Sequence, residues 1–162
     1  MNRLLITAAI AASFVASPLF AQAPPPPPPY GLGIGFDAAK KALAAAEAEA
    51  KKNNWPVAIA IVDSSAKLVA FSKLDNTQHA SVDIAIGKAV TANNLKRPTK
   101  ALQDGIAQGG ANLRILGQPG ITPLEGGVPI VVDGKIVGAI GVSGVLSNQD
   151  AEVAIAGAAA AK

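Results

Sequence analysis

The chain has 162 residues, a formal net charge of +3, no cysteine and 4% aromatic residues. That length supports one hydrophobic core and not two, and the absence of cysteine excludes disulfides and thiolate metal ligation. The lysines are scattered (Lys40, Lys41, Lys51, Lys52, Lys67, Lys73, Lys88) and not interleaved with aromatic rings, which disfavours nucleic acid and strong attraction to a membrane surface.

Residues 1–21 read as a secretory signal peptide. Arg3 supplies the positive start, Leu4 to Val15 is an almost unbroken apolar run, and Ser17 and Pro18 end it. The run is too short to span a bilayer stably. Ala21 and Ala23 both offer small residues for cleavage, but a cut after Ala23 leaves Pro24 next to the scissile bond. The expected cut is therefore after Ala21, which makes the mature protein periplasmic or secreted with no stable membrane span. Residues 22–36 read as a Pro/Gly-rich linker: Pro24 to Pro29 form a polyproline II rod, read as a spacer, and Tyr30 to Gly35 are extended.

Residues 37–162 carry the folded domain. Asp37 is expected to cap a helix from Ala38 to about Asn53, whose Ala39, Ala42, Leu43, Ala46 and Ala50 share one face. Val57–Val62 and Leu68–Leu74 have strand length and composition, and the polar run Asp63 to Lys67 turns one into the other. Ala80–Ala92 reads as a second helix, and Pro98-Thr99 opens a short third one toward Gly105. The glycine-rich stretch from Ile106 to Gly120 is irregular, with a short strand expected near Leu113 to Leu116. Val128–Val132 and Ile136–Val142 form a second hairpin around Asp133-Gly134, a pair suited to the positive φ angles of a type I′ turn. Gly138 and Gly141 alternate with apolar residues there, which predicts close approach of another element. Ser147 to Asp150 resembles a capping box ahead of a last alanine-rich helix, Ala151–Ala161. Hairpins separated by helices give an α+β fold: an antiparallel β-sheet with helices packed on it, a layered α/β sandwich.

The candidate site residues are few, and no catalytic constellation stands out. His79 is the one histidine, in a polar turn at the start of a helix; it reads either as an exposed surface residue or as the chain's imidazole ligand. Ser81, Ala85, Lys88 and Ala92 fall on one helical stripe with Thr91 beside it. A lysine and two hydroxyls so placed suit an anionic ligand; the alternative is that Lys88 snorkels to water. Asp150 and Glu152 stand in the first turn of the last helix, where the helix dipole accounts for them without a metal.

The sequence resembles the GlcG/HbpS family of heme-binding-like proteins. The likeness rests on Val62-Asp63, Leu68 to Phe71, Leu74-Asp75-Asn76, Ser81, Ile84-Ala85, Gly87-Lys88-Ala89, Thr91-Ala92 and Arg97-Pro98-Thr99. Its most distinctive part is Gly126-Gly127-Val128-Pro129-Ile130-Val131-Val132-Asp133-Gly134, followed by Val137 to Gly144 and Gln149-Asp150. The resemblance implies an α/β sandwich that associates into dimers or rings. Some members bind heme outside the cell and feed a redox-sensing system; others accompany glycolate-use genes, and a related domain is fused to corrinoid adenosyltransferases. Relatives usually carry glycine in the first hairpin turn, where this chain has Ser65 and Ala66.

The leading expectation is an exported small-molecule-binding protein that forms a homo-oligomer and takes heme or a similar tetrapyrrole. His79 is then the candidate iron ligand, and Ser81, Lys88, Thr91, Gly126 and Gly127 are further ligand-binding residues. The alternatives are an enzyme or accessory protein for a small hydroxy- or oxo-acid, held by Lys88 and the Gly126-Gly127 amides, or a ligand-free oligomeric signalling partner.

Overall fold

The computed structural model describes residues 25–162, so the expected signal peptide of residues 1–21 lies outside the described residues. The elements follow the order helix, hairpin, two helices and a 3-10 segment, hairpin, helix. They are α1 (Phe36–Lys52), β1 (Ala58–Asp63), β2 (Leu68–Lys73), α2 (Ser81–Asn94), α3 (Lys100–Gln108), a 3-10 segment (Gly110–Gly117), β3 (Gly127–Val132), β4 (Lys135–Ser143) and α4 (Ser147–Ala160). The four strands form one antiparallel sheet in the order β2-β1-β4-β3. No helix among the described residues is long and apolar enough to cross a membrane.

The sheet is covered on both faces, and the strand sequences show why. In β1, Ile59 and Ile61 enter a core with Ala39, Ala42, Ala46 and Ala50 of α1 and Val153 and Ala154 of α4. The alternate residues Ala58, Ala60 and Val62 face Ala85, Ala89 and Ala92 of α2. A central strand buried on both sides loses polar alternation and keeps only a difference in size. The small side lets α2 lie almost on the strands. A Cβ at Gly141 would fall on the Ala85 carbonyl oxygen and the Ala89 nitrogen, and one at Gly127 on the Lys88 carbonyl oxygen.

Several boundaries differ from the sequence expectation for local reasons. Gly35 precedes α1, and Asp37 sits inside its first turn without a side-chain capping bond. Leu113 to Leu116 belong to the 3-10 segment and not to a strand. At the start of α4, the Leu146 N–H donates to the Gln149 side-chain oxygen at 3.2 Å, so Gln149 takes the capping role expected of Asp150. The Asp133-Gly134 turn has positive φ at both residues, 48° and 72°. In the first hairpin turn Ala66 is left-handed at φ 61°, and the Asp63 carboxylate accepts the N–H groups of Ser65 and Lys67 at 2.8 and 2.9 Å.

The segment expected to be a linker contributes to the sheet. Tyr30 bridges Ile136 in parallel, and the Ile136 N–H donates to the Pro29 carbonyl at 2.9 Å. The Gly31 N–H donates to the Ile136 carbonyl at 2.8 Å and the Ile34 N–H to the Val137 carbonyl at 2.7 Å. The segment extends the sheet beside β4 past the last β1 pair, Asp63 with Gly138. The Tyr30 hydroxyl donates to the Asn93 carbonyl at 2.8 Å, tying it to the end of α2.

Candidate functional site

The sequence stripe on α2 faces the sheet, and the residues proposed to meet a ligand are buried there. Lys88 is 1% exposed and Asp150 is 2% exposed. The Lys88 Nζ donates to Asp150 Oδ2 at 2.8 Å and to the Val142 carbonyl at 2.9 Å. The other carboxylate oxygen of Asp150 accepts the Val145 N–H at 3.2 Å. Lys88 does not snorkel to water, which corrects that reading; Asp150 does stand in the first turn of α4, but it is buried against this lysine as well. Each is the other's counter-charge, because neither would be tolerated alone at that depth. Burial pushes the Lys88 ammonium below the ordinary lysine range and the Asp150 carboxyl above the ordinary carboxylate range, and their contact opposes both shifts.

Gly126 and Gly127 close over this pair. Gly126 has φ +123°, and a Cβ there would stand 2.8 Å from the Lys88 Nζ and 2.9 Å from the Asp150 Cβ. Glycine is required by both conformation and space. The Gly127 N–H donates to Thr99 Oγ1 at 2.8 Å, and the Val142 N–H donates to the Gly126 carbonyl at 2.9 Å. Thr91 Oγ1 accepts the Thr122 N–H at 2.8 Å, and Ser81 and Ser143 share a hydrogen bond at 3.3 Å. Lys88, Gly126 and Gly127 are therefore brought together as expected, but the Lys88 ammonium and the Gly127 N–H are already hydrogen-bonded inside the protein. A small acid would find no unpaired cation there and no free Gly127 amide.

The outer side of the glycine turn lines an apolar cleft of about 220 Å³, with Pro98, Val128, Ala151 and Ile155 as its walls. His79 is not part of this cluster. It is exposed in the turn between β2 and α2, while Lys88 lies two turns into α2. No side-chain hydrogen bond holds its ring among the described residues. At the same end of the sheet a wider cleft of about 440 Å³ opens between the end of α1 and the Leu74–Asn76 turn, with Trp55, Pro56 and Leu74 as apolar walls and Lys51 at its rim. The Leu74 N–H donates to the Val57 carbonyl at 3.0 Å, which joins these two walls.

Sequence reasoning missed the pairing of Lys88 with Asp150. The available signal was Lys88 as a charge among small and apolar neighbours; Asp150, in a polar first turn beside Gln149 and Glu152, gave none, and their meeting depends on a separation of 62 residues.

The sandwich, with its antiparallel sheet, close-packed α2 and glycine turn over an internal ion pair, defines a class of small α+β domains. Within it, this chain belongs to the family described as "Haem degrading protein HbpS-like", which it matches over residues 34–159. It is 44% identical over 94 residues to protein GlcG of Escherichia coli K12, covering 58% of this chain and 69% of that protein. The structure of HbpS matches with a TM-score of 0.73 and 33% identity, covering 80% of this chain and 90% of that one. The structure of a PduOC:heme complex matches with a TM-score of 0.73 and 27% identity, covering 80% and 95%.

Proposed function

We propose that this chain is an exported heme-binding protein that works as a homo-oligomer. The observation that carries the reading is the likeness to the heme complex of PduOC, which spans nearly all of that chain. HbpS, whose family description names heme, supports the same ligand class. Export rests on the signal layout of residues 1–21.

The residues present fit such a group. A porphyrin needs apolar walls, an iron donor and cations for its propionates. The 220 Å³ cleft over Gly126 is smaller than usual ligand pockets, whereas the 440 Å³ cleft is within their range. Trp55, Pro56 and Leu74 would pack against the ring, and Lys51, paired with Glu47 at 3.1 Å, would have to turn from it to a propionate on a wall that also carries Asp75. His79, three residues beyond Asn76 on the cleft wall, would supply the iron donor. A neutral imidazole with an unengaged ring is a better iron ligand than any hydroxyl nearby. Bound heme supplies an iron centre for ligand exchange and electron transfer; the chain holds and orients it.

Hemin titrated into purified mature protein tests this. Saturable binding with a Soret band distinct from free hemin is expected. A linear, non-saturating absorbance rise would overturn the proposal.

A further inference from the structure

A third cleft lies at the far end of α2, and nothing above uses it. It holds about 270 Å³ between the Leu95–Arg97 turn, α3 and the 3-10 segment. Arg97 and Arg114 stand on its walls with the Asn112 amide, while Leu95, Leu102 and Ile115 supply apolar surface. The Arg97 Nε donates to the Leu95 carbonyl at 3.1 Å, which fixes the stem of that guanidinium and leaves its two terminal nitrogens free. Among the described residues neither arginine forms an ion pair. The nearby acids are engaged elsewhere: Asp104 receives Lys100 at 2.8 Å through both oxygens, and Glu125 receives the Gln103 side chain at 3.3 Å. Neither α3 nor the 3-10 segment contains a buried residue, so this part of the molecule adds little to the core, although it forms the cleft.

We infer that this cleft binds a carboxylate carried on a short aliphatic stem. Two guanidinium forks and one amide suit the planar, two-oxygen geometry of a carboxylate, and the leucine and isoleucine surface suits the stem. The volume takes a stem of a few carbons and excludes a porphyrin ring. That chemistry comes from two sources, a free small acid or a propionate arm reaching in from a tetrapyrrole bound outside. The inference is independent of the heme reading in both sources: a heme held by His79 would sit at the other end of the 14-residue α2, about 20 Å away, so the second source requires a tetrapyrrole bound beside this cleft itself.

Two probes separate them: glutarate, followed by amide chemical shifts of Gly105 and Asn112, and hemin against hemin dimethyl ester, followed by absorbance. Each is run on wild type, Arg114→Gln, the Arg97→Gln/Arg114→Gln double variant and a Lys40→Gln control on α1. Both arginines are exposed, so the variants keep the fold, which circular dichroism checks. For a free acid, glutarate shifts Gly105 and Asn112 saturably, and affinity falls about tenfold per arginine lost. For a propionate, glutarate leaves the shifts unchanged, hemin weakens about tenfold or more in the double variant, and the dimethyl ester binds wild type and variant alike. Equal affinity of wild type and double variant for both glutarate and hemin overturns the inference. Saturable hemin binding in that case leaves the heme proposal standing.

Discussion

A charge buried at 1% exposure is held only by its partners, so Lys88 and Asp150 stand or fall together. Lys88→Met keeps the stem and removes the ammonium. It leaves Asp150 buried and uncompensated, a loss of about 3–5 kcal/mol at pH 7. Without Lys88, burial is opposed only by the backbone N–H groups of Val145 and Gly144, and the folded-state pKa of Asp150 rises further above the unfolded value of 3.8. A raised folded pKa means that the folded state holds the proton more tightly. Stability is then greatest below pH 4 and is lost as the pH rises toward the raised value. Urea unfolding should therefore show a smaller penalty for Lys88→Met at pH 4 than at pH 7, and Lys88→Met/Asp150→Leu should recover most of it. Equal penalties at the two pH values would contradict the buried-pair account. Lys88 was visible in the sequence as an exception to apolar patterning, Asp150 only as one of two acids in a polar first turn. Their pairing was not, because it joins the middle of one helix to the first turn of another.

Among the elements, the hairpins were the most legible and the turn chemistry explains it. Asp133-Gly134 demanded positive φ and adopted it, whereas the first hairpin places Ala66 at φ 61°, a position that glycine would occupy at lower cost. The 3-10 segment misled because Leu113, Ile115 and Leu116 have strand composition, yet they lie in a 3-10 turn between glycines and pair with no strand. Residues 29–34 looked like linker because glycine and proline hide the role of Tyr30, which only the sheet geometry reveals. The glycines of β4 did foretell close packing. Gly141→Ala would drive a methyl group into the α2 backbone, which cannot rotate away as a side chain can. We expect it to destabilise by about 1–3 kcal/mol or more, read from the denaturation midpoint. Gly117→Ala, where nothing lies within 4 Å, should change stability by about 0.5 kcal/mol or less. Comparable losses from both would show that α2 does not rest on the strand.

At the scale of the whole molecule, the sheet leaves β2 and β3 as open edges, and no disulfide reinforces a core built largely from alanine. Association would cover exposed side chains such as Ile155 and Leu146 and supply the missing stability. Light scattering at micromolar concentration should give a multiple of the single-chain mass; a single-chain mass would count against a homo-oligomer. The layered fold was legible as a whole because hairpins alternated with helices along the chain. The ligand surface was less so: of the residues singled out, Ser81, Lys88 and Thr91 turned inward, and His79 stayed exposed.

The central claim is that this surface takes heme through that imidazole, and hemin titration of wild type against His79→Ala tests it most directly. We expect the wild type to saturate with a defined Soret band, and the variant to bind about tenfold or more weakly with a shifted maximum, since an iron donor is lost. An identical spectrum and affinity for both proteins would contradict His79 as the ligand, and no saturation by the wild type would contradict heme binding itself.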